Sequence, residues 1–87
     1  MVNRQSFSPR LRHLNRAIEQ NPDAAVNFVL RGEYWLALGV YTNAIQDFED
    51  AIVLARQEWT FSEWGYLFQA MIDRAEQGLR LAREYSL

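Results

Sequence analysis

Catalysis needs polar groups that converge, and this chain offers few places where they could. The one histidine, His13, stands among Arg10, Arg12 and Arg16, with no nucleophile or orienting acid at a spacing that would make it a general base. Asp47, Glu49 and Asp50 form an acidic cluster, but the run that carries them has helical periodicity. It lacks the loop that a calcium site wraps around its ion, and it reads as a solvated helix face. Cysteine is absent, which leaves no thiolate or disulfide chemistry and, with a single histidine, no zinc set of the usual kind. No glycine-rich loop follows a strand, because no stretch reads as a strand. The expectation is a protein that is not an enzyme, with no catalytic, metal-binding or cofactor-binding residue and no cofactor.

Arginine is the remaining source of chemistry. The chain has 9 basic residues, all arginine, and a net charge of −2. Residues 1–22 hold Arg4, Arg10, Arg12 and Arg16 against Glu19 alone, whereas residues 23–63 hold seven acids against Arg31 and Arg56. Arginine pairs bidentately with carboxylates better than lysine does, so the basic start suits an acidic surface on its own chain or on a neighbour. Genomic base composition accounts for the missing lysine equally well. The same arginines could meet phosphates. An acidic middle and a sequence pI near 5.3 lack the basic footprint of a nucleic-acid binder. Nucleic-acid contact through the Arg-rich first helix is therefore disfavoured and kept as a minor alternative.

These residues need positioning, and the apolar spacing supplies four helices in one domain over 1–87, at about 8–20, 24–38, 42–57 and 61–85. Residues 1–5 carry no pattern. Ser8-Pro9 opens the first helix, a serine cap with proline in the first turn, and Phe7, Leu11, Leu14 and Ile18 mark its apolar stripe. Asn21-Pro22-Asp23 stops it, with asparagine suited to a left-handed exit. Asp23 is the expected cap of the second helix, whose polar residues are only Asn27, Arg31 and Glu33. Gly39 ends that helix by tolerating positive φ. The third helix has a polar face (Gln46, Asp47, Glu49, Asp50) and an apolar one (Ile45, Phe48, Ala51, Ile52, Ala55). Thr60-Phe61-Ser62-Glu63 reads as a capping box before the fourth helix, with Trp59 and Trp64 at staple positions. At about 25 residues, or roughly 37 Å, this last helix outruns its neighbours.

Residues 23–56 carry a finer pattern: Phe28, Gly32 and Trp35, the turn Leu38-Gly39-Val40-Tyr41, then Ala44, Phe48 and Ala51. In type, order and spacing these positions resemble one tetratricopeptide (TPR) repeat, a helix–turn–helix unit of about 34 residues. Arg56 stands where such repeats close with proline, and Arg31 where many carry leucine. The run AIEQNPDAA resembles the end of a preceding repeat, with Leu14 and Ala17 at matching places, although Arg10 sits where a small residue is wanted. The fold class implied is all-α: a TPR-like antiparallel helical hairpin within a four-helix array, ending in a long helix.

What the resemblance implies for function is a protein-binding adaptor or scaffold. In such repeats the first helix lines a concave groove, here Val26, Val29, Glu33, Leu36 and Ala37. That stripe is mostly apolar, which suits a hydrophobic helix or extended segment. The family's carboxylate clamp needs lysine and asparagine, and these are missing here. A solenoid needs about three repeats to cover its faces, and this chain has fewer. The last helix then either folds back as a cap or reaches into a second copy. Its surplus length, with Met71 and a second ridge of Leu67, Gly78, Leu81 and Tyr85, favours self-association as a two-fold dimer. Twelve aromatic rings in 87 residues point the same way. The alternative role is thus a homo-oligomeric structural or regulatory subunit whose groove is filled by its own kind. No stretch has the length and purity of a membrane span and no leader opens the chain, so a cytoplasmic setting is expected.

Overall fold

The computed structural model describes residues 8–60 and 65–86. All regular structure among them is helical: α1 (Pro9–Gln20), α2 (Ala25–Leu38), α3 (Tyr41–Thr60) and α4 (Gly65–Tyr85). The patternless residues 1–5 and most of the capping box, at 61–63, lie outside the described residues, as does Trp64 of the staple.

Each helix boundary has a local cause. Ser8 holds extended backbone (φ −63, ψ 143), and its hydroxyl accepts a hydrogen bond from the Leu11 amide at 3.1 Å. The exit of α1 differs from expectation. Asn21 is not left-handed but sits at φ −138, ψ 73. The ring of Pro22 bars the helical region to the residue before it and pushes that residue toward extended backbone. The Ala24 amide then donates to the Asn21 carbonyl at 3.1 Å, closing a tight turn with Pro22 and Asp23 at its centre. Ala24, not Asp23, is therefore the N-cap of α2, and no side chain caps that end. At the other end Gly39 is left-handed (φ 76, ψ 17). Its amide donates to Leu36 at 3.1 Å and that of Val40 to Trp35 at 2.9 Å, the paired bonds of a Schellman stop.

α3 begins at Tyr41 and runs three residues past the expected Gln57, since nothing between Gln57 and Thr60 breaks a helix. Thr60 thus belongs to the backbone of α3. Within the described residues α3 has 20 residues and α4 has 21. The last helix folds back beside α3 and also touches α2, while α1 packs on α2 alone among the described helices. Pairings fix the directions. Ala25 shares a cluster with Ala55, and Gly32 meets Phe48, so α2 and α3 are antiparallel. Glu49 pairs with Arg83 and Arg56 with Glu76, so α3 and α4 are antiparallel too.

Small residues let the three backbones approach. Ala44 and Ala51 of α3 cluster with Ala75 and Ala82 of α4, all buried. Phe48 is the large side chain at the centre, fully buried with Val29. Its ring lies between two glycines. A Cβ on Gly32 would stand 2.8 Å from it, and one on Gly78 closer still. Glycine at both places is thus a condition of the ring's burial, which is worth about 1.5–3 kcal/mol. A second cluster of Ala25, Ala55 and Ile72 extends the core toward the start of α4.

Candidate interaction surfaces

The three polar side chains of α2 each bind a different part of the array. Asn27 donates to the Ala17 carbonyl of α1 at 3.4 Å. Arg31 meets Asp47 of α3 with two parallel bonds, Nε to Oδ2 at 2.7 Å and Nη2 to Oδ1 at 2.9 Å. Its third nitrogen, Nη1, donates to Asn15 Oδ1 of α1 at 2.9 Å. Glu33 accepts two bonds from Arg74 of α4, at 2.5 and 2.7 Å. Ser8 and the Tyr34 hydroxyl add a 2.7 Å hydrogen bond between α1 and α2.

Asp47 is consequently not part of a solvated face, as its sequence cluster suggests. It is 3% exposed, because it lies on the side of α3 that meets α2. Glu49 is half-buried and takes Arg83 of α4 at 2.9 Å, and Asp50 accepts from Gln46 at 3.0 Å. The pKa of Arg31 is raised, first by its hydrogen bonds to Asp47, against the opposing effect of burial. A raised arginine pKa keeps the guanidinium charged at any ordinary pH. Among the described residues no group of histidines and acids could hold a metal ion, and no helix is long and apolar enough to cross a membrane.

The expected partner stripe of α2 divides. Val29 is 2% exposed and belongs to the core, so it cannot touch a partner in the folded chain. Glu33 is engaged by Arg74, and Leu36 packs partly on the core. Val26, at 45%, and Ala37 are exposed. The expected self-association ridge of α4 divides likewise. Gly78 is buried against Phe48, and Met71 packs on the second cluster, whereas Leu67 and Tyr85 face solvent at 48% and 63%. Residues that share a stripe on a helical wheel therefore separate into core and surface, because α4 lies over α2 and α3.

Among the described residues two grooves flank α4. Between α2 and α4, Leu36 and Leu81 face a groove of about 370 Å³ whose edge carries the Glu33–Arg74 pair and Gln77. One turn beyond Leu81, Tyr85 stacks on Tyr41, with ring centres 6.0 Å apart. An apolar strip thus runs from Leu36 and Leu81 to two tyrosine rings. On the other side, between α3 and α4, Ile52 and Leu79 floor a larger groove of about 700 Å³. Charged side chains surround that floor, among them the Arg56–Glu76 pair at 3.6 Å and Arg83. A third surface is the outer side of α1, where Arg12, His13 and Arg16 ring a shallow hollow with Pro9.

A scan against protein-family models finds no match for this chain, and searches of curated proteins and of solved structures find none either.

Proposed function

We propose that this protein is a non-enzymatic protein–protein interaction module of TPR-like build, with the α2/α4 groove as its partner surface. The observation that carries the reading is the apolar strip from Leu36 and Leu81 to the Tyr41–Tyr85 stack, which ends in a tyrosine 63% exposed. Aromatic residues at the end of a concave apolar groove are the usual anchors of protein contacts. The α3/α4 groove is larger, but among the described residues no aromatic side chain lines it. The occupant that suits the strip is a hydrophobic helix or extended segment. The α2–α3 hairpin, closed at Gly39 and packed through Gly32 and Phe48, supports the TPR-like part of the reading.

A homo-oligomer filling its own groove is the second reading. It is supported by the exposed Leu67 and Tyr85 of α4. One experiment separates the two. A photo-crosslinking residue is placed at Gln77, on the groove edge, and in a second protein at Val53 on the outer side of α3. Both are expressed in the native host and the products identified by mass. A specific protein captured at position 77 and not at 53 fits the adaptor. Capture of a second copy, with a dimer in sedimentation, fits the homo-oligomer. Equal capture at both positions would end the groove assignment.

A further inference from the structure

α1 joins the molecule differently from the other three helices. Leu11 and Leu14 are buried, yet among the described residues neither belongs to a hydrophobic cluster of the core, and both clusters are built from α2, α3 and α4. Much of what ties α1 down is polar. Ser8 bonds to the Tyr34 hydroxyl, Asn15 accepts from Arg31, and the Ala17 carbonyl accepts from Asn27. Asn27, Arg31 and Tyr34 recur at helical spacing and form one stripe of α2, along which α1 lies. Water replaces each of these bonds once α1 lifts away, so they hold it lightly. Neither core cluster loses a member in the process. Arg31 keeps both of its bonds to Asp47, and the Phe48 ring stays between Gly32 and Gly78.

We infer that α1 is a latch: it opens as a unit of its own and bares the side of α2 that carries Asn27, Arg31 and Tyr34, while α2, α3 and α4 stay packed. Its 12 residues are about the length at which an isolated helix is marginal in water. Off α2 it therefore unravels and does not swing out as a rod. The unravelling stops at the Asn21–Ala24 turn, because Pro22 has no amide to carry a helical ladder from α1 into α2. α4 has no such freedom, since Ile72, Ala75, Leu79 and Ala82 are members of the core clusters. Glu33 and Leu36, which line the α2/α4 groove, are not in the bared stripe, so the inference is independent of that groove's role.

The test is hydrogen exchange of the whole isotope-labelled chain, followed amide by amide under native conditions. After allowance for intrinsic rates, residues 12–20 are expected to exchange about a hundredfold or more faster than Val29, Phe48 and Ala75. Within that stretch the amides should share one opening constant, as parts of one unit. Low urea should speed the slow amides steeply and those of α1 little, because only global unfolding exposes the core. A mild core variant, Ile72→Val, separates the two openings. It should speed Val29, Phe48 and Ala75 by about fivefold and leave residues 12–20 unmoved, since the core is intact whether the latch is open or shut. Exchange of α1 in the same slow class as Phe48, rising with it in Ile72→Val, would overturn the inference. So would a steady fall in rate from residue 12 to residue 20, which is the signature of fraying from one end.

Discussion

Replacing Gly78 by alanine sets two effects against each other. On an exposed helix the change gains about 1 kcal/mol of helix propensity. Here the added methyl meets the Phe48 ring at less than contact distance, and overpacking costs about 1–3 kcal/mol. Both Gly78→Ala and Gly32→Ala should therefore lower the urea midpoint, and Phe48→Leu in the Gly78→Ala background should recover part of the loss. A Gly78→Ala protein more stable than its parent would disprove the close packing. The ion pairs divide by burial. Asp47→Ala leaves Arg31 without its partner at a nearly closed site and should cost about 3 kcal/mol. Glu33→Gln, which frees an Arg74 already 59% exposed, should cost under about 1 kcal/mol. Denaturation of the two variants side by side measures the contrast. Gly32, Phe48 and the turn at Gly39 are legible in the sequence because a small residue opposite a large one is a local pattern. Asp47 is not, since a carboxylate among Glu49 and Asp50 reads as solvent-facing until the arginine sixteen residues earlier is seen to reach it.

Helix ends show where local rules compete. Ser8 and Gly39 follow from side-chain chemistry alone. At Asn21 the steric demand of the next residue overrides asparagine's tolerance of left-handed backbone, and the turn that follows moves the cap one place, to Ala24. An uncapped helix end invites repair. Ala24→Ser should stabilise the protein by about 1 kcal/mol, read as a higher melting temperature, while Asp23→Ala should change it by less than about 0.5 kcal/mol. If Asp23→Ala proves the costlier of the two, the cap has been placed wrongly. The extension of α3 to Thr60 was hidden because its last turn lacks apolar spacing and the Thr60–Glu63 run competes as a helix start.

On the scale of the molecule, α4 is the covering helix. It supplies Ile72, Ala75, Leu79 and Ala82 to cores begun by α2 and α3, and arginines from it reach Glu33 and Glu49. A chain ending at residue 60 should therefore lose cooperative unfolding and bind a hydrophobic dye; sharp melting of that fragment would show that α4 is dispensable. The periodicity of α4 was plain in the sequence, but its destination was not. A stripe of apolar residues says that something covers it, and only the matching of Gly78 with Phe48 across thirty positions identifies the cover as this chain's own. The seating of Phe48 has a further consequence for motion. An aromatic ring held between the glycines of two helices cannot turn over unless those helices part. Its two sides should give separate proton resonances in the magnet, and the temperature at which they merge would clock how often α2 and α4 draw away from one another.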